Sequence, residues 1–454
     1  MKQLGGQAVV IGGSIAGLMA ARVAADHYGE VTVIERDTLP ATAAPRPAIP
    51  QGAHAHGLLL AGEQVMSRLY PGFTASLRAA GAVAVRAGRD VLYQLPRGAA
   101  YSPGGSMRQA RDLGFDVYSA SRELIEHCVR RHTQQTPNVR FETGTVTGLS
   151  RRHPDQVDVL SQREGNTLRH PADLVVDASG RGTRSAQWLQ EAGWPAVEQT
   201  DLGIDIAYAS ARWRLAQDQA PGVPQVLYRG PVPQTRRTGM LARIERDQWL
   251  VTLVGRLGEV PPADEPGFLA FAGGLSTPAL RALLSQGERI SAIQTYRVPV
   301  SLRRHYERLP ALPRNWLAVG DAICSFNPVY GQGMSVAALQ VQALQTLLQA
   351  RAAAPSPALQ GMVAEYFQHA SQIIDGAWSL AARQDLAFPE TRGQRPPDLA
   401  ERARYGAALE ALIPEDPQLH LLLAEVFNLT RPLSALDDPA LRARVLQSVS
   451  GTPH

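Results

Sequence analysis

Apolar positions along this chain fall into two regimes. Near the start, the run Ala8-Val9-Val10-Ile11 precedes a glycine-rich turn, Gly12-Gly13-Ser14-Ile15-Ala16-Gly17, and Ile15, Leu18, Met19 and Val23 recur at helical spacing. This pattern predicts a buried strand, a tight turn and a helix. A second strand, Val31-Thr32-Val33-Ile34, ends at Glu35. Val139-Arg140-Phe141, Val157 to Leu160, Leu174 to Asp177 and Trp316 to Val319 read as further strands, the last two belonging to the first sheet. From about 200 to 300 the period becomes two, as in Ile204-Asp205-Ile206-Ala207-Tyr208 and Trp249 to Val254. Such alternation predicts an antiparallel sheet with one covered face.

Helices are predicted from Leu58 to Leu69, after an N-cap at Ser121 with Leu124, Ile125, Cys128 and Val129 inward, and beyond Gly333 with Ala337, Val341, Leu344 and Leu348 inward. The chain past 350 reads as helical, broken near Pro389, Pro396 and Pro414, and Leu421 to Leu423, Val426, Phe427 and Leu429 read as core. Pro40 to Pro50 cannot propagate a helix and reads as a loop. Residues 76 to 118 read as strand pieces, including Val91 to Leu95, around a flexible Pro103-Gly104-Gly105.

The first turn sits where a strand feeds a helix. Small residues there let the backbone approach a pyrophosphate at the helix N-terminus, where free N–H groups and the dipole favour negative charge. Ser14 stands where a second glycine is usual, and serine is small enough to preserve the approach. Glu35 lies at the distance where an acid accepts ribose hydroxyls, which implies an unphosphorylated adenosine ribose. A second glycine-rich stretch, Gly320-Asp321 running into Asn327-Pro328-Val329-Tyr330-Gly331-Gln332-Gly333, completes the same cofactor site.

Bulk properties narrow the class. With 454 residues and 44% hydrophobic content, two intimately packed soluble domains are expected. The net charge of +4 rests on scattered arginines, with Lys2 the single lysine, and this argues against a nucleic-acid-binding tail. Cys128 and Cys324 form no disulfide framework or metal-ligand spacing, so no metal and a reducing cytoplasm are expected. Neither a signal peptide nor a transmembrane span is read.

The four motif segments, in their order, resemble the single-component flavin-dependent aromatic-hydroxylase-type monooxygenases, the group that includes para-hydroxybenzoate hydroxylase. Arg46 to Gln51 with His54-Ala55-His56, and Cys324 to Ser335, are similar to bacterial polyene epoxidases of polyether biosynthesis. The resemblance implies an α/β fold: a Rossmann-like FAD-binding domain of the GR2 type, an inserted antiparallel-sheet substrate domain and C-terminal helices. The expected boundaries are 1–75, 105–185 and 300–350 for the cofactor domain, 76–104 and 186–299 for the substrate domain, and 351–454 for the helical region.

It further implies that Gly12, Ser14, Ile15, Ala16, Gly17, Glu35, Arg36, Arg46, Arg122, Val146, Asp177, Gly320, Asp321, Gly333 and Met334 contact FAD. Glu35 would hold the adenosine ribose, Arg122 the diphosphate or ribityl chain, Arg46 the cofactor side or the nicotinamide, and Val146 the adenine through its backbone. Asp321 would accept the ribityl hydroxyls. Pro328, Gly331, Gln332 and Gly333 would stand at the reactive ring, with the Gly331–Met334 N–H groups stabilising negative charge at flavin N1 and O2. Two positions depart from the group: Ser179-Gly180 with Asp177 replaces an Asp-Gly pair, and Cys324 stands for a histidine.

The implied activity uses NADPH or NADH and O2 to transfer oxygen from a flavin 4a-hydroperoxide to a bulky hydrophobic substrate, first by alkene epoxidation in secondary metabolism, in a monomer or homodimer. Phenol-type ring hydroxylation, which gains from a base, is the alternative. A prenyl-reductase-like flavin oxidoreductase without oxygen transfer and a non-catalytic carrier of an apolar metabolite are the competing classes. Halogenation is disfavoured, since no Trp-x-Trp-x-Ile-Pro segment occurs. His54 and His56 face either the substrate or loop carbonyls.

Overall fold

The computed structural model describes residues 3–94, 106–108, 111–354 and 359–450. Leu95 and Pro103-Gly104-Gly105 lie outside the described residues. Strand Gly5–Ile11 leads into helix Ile15–Ala25 and strand Tyr28–Glu35, as the apolar spacing predicts. A five-stranded parallel sheet runs in the order 316–318, 174–177, 5–11, 28–35, 139–143. Its middle strands are apolar on both faces because helices cover each side. The adjoining meander of strands Thr145–His153, Gln156–Arg163 and Asn166–His170 includes the expected Val157–Leu160 strand, which lies outside the parallel sheet.

The second large sheet is mostly antiparallel and has eight strands. At its heart, Ile206–Arg214 pairs with Gln248–Arg256, so that Tyr208 stands opposite Val254 and Ser210 opposite Thr252. The period-two pattern divides these strands cleanly. Ala209, Ala211, Trp213, Trp249, Val251 and Leu253 point to one core, where Phe268 of helix Glu265–Gly273 stacks on Trp213 with ring centroids 5.3 Å apart. The opposite face was expected to be open. Instead, residues 206–211 and 249–256 are all buried, since the second face packs on the loop around His54 and on the C-terminal helix Met362–Leu386.

Strand Ser106–Arg108 pairs with Val91–Gln94 in this same sheet, although the sequence assigns 105–185 to the cofactor domain. Residues 73–79, expected to contain the start of strand pieces, form a helix.

Helix Met362–Leu386 is integral to the main core. Met362, Tyr366, Phe367, Ile374 and Ala377 pack there, and the Tyr366 hydroxyl donates to the Ala318 carbonyl at 2.9 Å. A separate small core gathers Leu409, Leu419, Val426, Leu436 and Val445. Phe427, expected in a core, is exposed. Among the described residues, no helix is long and apolar enough to cross a membrane.

Candidate functional site

Gly12 ends the first strand at φ +99°, with its N–H donating to the Ile34 carbonyl at 2.9 Å. A Cβ here would fall 2.6 Å from the Ala178 carbonyl oxygen, and a Cβ on Gly17 would fall 1.9 Å from the Gly12 oxygen. Both glycines are therefore sterically required for the helix to start hard against the strand. Ser14 occupies the N-cap position without capping the helix. Its hydroxyl instead donates to Glu126 Oε2 at 2.9 Å and accepts from Arg122 Nη2 at 2.8 Å. The first N–H groups of a buried helix are left without a side-chain partner, which suits an incoming anion.

Around this turn lie three carboxylates and three guanidinium groups, all buried or nearly so. Glu35 accepts from the Gly13 N–H at 2.7 Å and the Asp37 N–H at 3.1 Å, and Arg46 Nη1 lies 3.2 Å from it. Glu126 is the hub, with Arg46, Arg122 and Arg130 nitrogens at 2.8, 3.1 and 3.4 Å. Burial raises the pKa of the Glu126 carboxyl, but Arg122 and Arg46 outweigh that and hold it below the usual carboxylate range. Arg122, Glu126 and Arg130 fall on one face of helix Arg122–Gln134 at i, i+4, i+8, and this spacing of alternating charge is the signal by which Glu126 could have been found. Ser121 caps that helix as expected, accepting from the Leu124 N–H at 3.2 Å.

The second glycine stretch arrives at the same place. A Cβ on Gly320 would lie 3.2 Å from Ala16 Cβ, so turns three hundred residues apart touch. The Gly320 N–H donates to Gln340 Oε1 at 2.6 Å. Asp321 faces Gly333, a Cβ on which would lie 3.7 Å from Asp321 Oδ1. Burial raises the Asp321 pKa, opposed by Arg181, Arg122 and Arg304. Gly331 adopts φ +67° and hands over to helix Gly333–Ala353, whose N-cap position, Gln332, makes no side-chain cap. Gln332 is buried with Oε1 unpartnered. Cys324 is buried, and burial pushes its thiol pKa well up, so it is an inert apolar residue at neutral pH.

Several predicted residues stand apart from the turn. Arg36 is exposed and its contact is the Ala48 carbonyl at 3.4 Å. Asp177 is turned into its own loop, accepting from Ser179 N–H, Ser179 Oγ and Thr183 Oγ1 at 2.9, 2.5 and 2.5 Å. Val146 follows the Gly144 N–H, which donates to the Glu35 carbonyl at 2.9 Å, so it lies near the acid's strand end. Pro328 is exposed, while Met334 is half-buried.

Sequence reasoning missed the polar group beneath the Asn327–Gly331 loop. Asp385 Oδ1 accepts from Arg256 Nη1, Asn327 Nδ2 and the Tyr330 hydroxyl at 2.8, 2.6 and 2.8 Å. Burial raises the Asp385 pKa, with Arg256 pulling the other way. Ala370, Ile374, Ala377, Ala381 and Asp385 share the buried face of their helix, and a lone acid continuing that stripe was the available signal.

The chain is 35% identical over 392 residues to Protein Rv3254 of Mycobacterium tuberculosis, covering 84% of this chain and 80% of that protein. The chain belongs to the Rv3254 family. No family model matches it. Solved structures with a similar fold include the flavin-dependent brominase Bmp2, at 14% identity, TM-score 0.68 and 98% coverage of both chains. The flavoprotein/dehydrogenase from Cytophaga hutchinsonii matches at 13% identity and TM-score 0.67, covering 98% of this chain and 99% of that one. The p-nitrophenol 4-monooxygenase PnpA from Pseudomonas putida matches at 17% and 0.63, covering 94% and 99%. At these identities the likeness is one of fold. It places the Rv3254-family chain in the α/β architecture expected from its sequence.

Proposed function

We propose that this Rv3254-family chain is an FAD-dependent monooxygenase. One observation carries the reading: two uncapped helix N-termini, at Ile15 and Gly333, both lie against the Gly320-Asp321 turn, where a Cβ on Gly320 would be 3.2 Å from Ala16 Cβ and a Cβ on Gly333 3.7 Å from Asp321 Oδ1, beside a buried set of arginines. Gly12 to Gly17 and Arg122 hold the pyrophosphate, and Glu35 the adenosine ribose, with Val146 offering backbone to the adenine. Arg46 acts by holding Glu35 in place; Arg36 and Asp177 have peripheral roles. Asp321 would accept from the ribityl hydroxyls, and the Gly331–Met334 N–H groups, with Pro328 beside them, would favour negative charge on the reduced ring. The residues present fit this cofactor, since Gly12 and Gly17 let the helix start hard against the strand with its first N–H groups uncapped, beside the buried Arg122.

When bound and reduced by NADPH or NADH, FAD supplies activated oxygen from O2. The protein's own work is to bind, orient and keep water out. The face of the large sheet that carries Ile206, Tyr208 and Val254 packs with Val298, Leu386, Tyr296, Val329 and Trp378, apolar surroundings that support a bulky hydrophobic substrate. Epoxidation of an alkene is the first reading. Ring hydroxylation is the second, favoured by one observation: buried polar atoms without partners, His54 Nε2 and the Tyr208 hydroxyl, at this same face. The test is the purified protein itself, expected to carry FAD absorbance and to oxidise NAD(P)H faster with substrate, placing one atom of ¹⁸O2 in the product. Colourless protein that refuses added FAD sinks the proposal.

A further inference from the structure

The loop that precedes helix Leu60–Leu69 lies between the two halves of the site. Gly57 packs against Gly331, with a Cβ on Gly57 falling 3.5 Å from Gly331 Cα. Three residues earlier, His54 is 4% exposed and sits against the rings of Tyr208 and Tyr296, at centroid distances of 5.5 and 6.0 Å. Its Nδ1 lies 2.8 Å from Ser210 Oγ, which lies 2.7 Å from Thr252 Oγ1, and Thr252 Oγ1 accepts from the Ala55 N–H at 3.1 Å. Its Nε2 is buried with no partner.

This chain of hydroxyls has a direction. Each hydroxyl carries one proton. If Thr252 donates to Ser210 and Ser210 donates to His54 Nδ1, both hydroxyl protons are used, and the imidazole proton sits on Nε2 as the one unpaired donor of the chain. In the reverse wiring, His54 Nδ1–H donates to Ser210 and Ser210 to Thr252, so the Thr252 proton has no further acceptor among the described residues. The reverse wiring therefore leaves two buried groups unpaired, the Thr252 proton and the Nε2 lone pair, against the single Nε2–H of the first, and since each unpaired buried group is costly the first wiring prevails. The ring is neutral at physiological pH, since burial pushes its pKa down to about 4. A neutral imidazole with Nδ1 occupied presents one hydrogen-bond donor.

We propose that His54 Nε2–H binds an acceptor oxygen on the substrate, which is therefore an apolar molecule carrying a carbonyl or equivalent oxygen rather than a plain hydrocarbon polyene. The Tyr208 hydroxyl, also buried without a partner, stands on the same sheet face beside His54. The apolar surroundings are Ile206, Val254, Val298 and Leu386, and the further polar groups near Tyr208, which are Arg256, Tyr330 and Asp385, are bonded to one another through Asp385 Oδ1. The assignment of this face to the substrate rests on the flavin reading above.

The test uses the FAD-loaded, ¹⁵N-histidine-labelled protein. Flavin absorbance reports first on the cofactor reading alone: absence of FAD overturns that reading, while the histidine tautomer can still be measured. Long-range ¹⁵N–¹H correlation spectra at pH 7 are expected to show His54 as the Nε2–H tautomer, and an Nδ1–H tautomer overturns the proposal. Calorimetric titration then compares 2-acetylnaphthalene with 2-isopropenylnaphthalene, nearly isosteric probes that differ by C=O against C=CH2. The ketone is expected to bind about five- to tenfold tighter, the ordinary worth of one net hydrogen bond. That preference should vanish in His54→Leu and survive in His54→Gln, whose amide N–H reaches where the ring Nε2–H does. Equal affinities, no binding of either probe, or loss of the preference in both variants overturns the proposal.

Discussion

Asp385 shows how a single carboxylate joins distant parts of the chain. One oxygen takes three hydrogen bonds, one from Arg256 of the large sheet and two from Asn327 and Tyr330 of the Asn327–Gly331 loop, while the other is buried without a partner. Removing the carboxylate leaves the Arg256 guanidinium buried and uncompensated, a situation that costs about 3–5 kcal/mol. Asp385→Ala is therefore expected to lower the unfolding free energy measured by urea denaturation by an amount in that range, while Asp385→Asn loses less. His54 supplies a pH signature. An unfolded histidine takes its proton near 6.5 and the folded His54 near 4, so the unfolded state binds more protons between those values. Stability contributed by the neutral ring is complete above 6.5 and is lost as pH falls toward 4, by up to about 3 kcal/mol. Chemical denaturation from pH 7 to 4 should show this loss in the wild type, reduced by His54's share in His54→Gln. His56 adds to it, since burial pushes its pKa down to about 3.

At the level of elements, the decisive feature is how closely a helix can approach the strand that feeds it. The helix Ile15–Ala25 is apolar almost all round, with Leu18, Met19, Ala20, Ala21 and Val23 buried. Its position is set by the glycines at its first turn. In Gly17→Ala the new methyl would meet the Gly12 oxygen at 1.9 Å, and backbone cannot yield as a flexible side chain can. Overpacking of this kind costs about 1–3 kcal/mol, and here the strain falls on the turn proposed to hold the pyrophosphate. The variant should lose FAD occupancy, read by flavin absorbance, more sharply than it loses melting temperature. This element was legible in the sequence because strand, turn and helix are contiguous and each announces its own period. The antiparallel strands were equally legible as strands. Their second covered face was not, because the pieces that cover it, the His54 loop and helix Met362–Leu386, are remote in sequence.

For the whole molecule, the C-terminal half of the chain is as much part of the site as the N-terminal turn. Met362, Tyr366 and Phe367 are buried in the main core, and Phe367 stacks on Tyr306 at 5.1 Å. A chain ended at residue 354 would expose that core and free the Asn327–Gly331 loop from Asp385. It is expected to be aggregated or molten, with weak near-ultraviolet circular dichroism and no cooperative melt. A soluble, cooperatively melting product would show that helix Met362–Leu386 is an appendage.

Local order in the chain was enough for the motifs, the strand periods, the Ser121 cap and the glycines that a phosphate-binding turn requires, because each depends on neighbours within a few residues. What stayed hidden was partnership. Glu126 serving three arginines, the hydroxyl chain from Thr252 to His54, and Asp385 beneath the Asn327 loop join residues up to 197 positions apart. Burial gives those contacts their strength, since a polar group removed from water must find its partner wherever the packing brings one, and sequence distance carries no record of that.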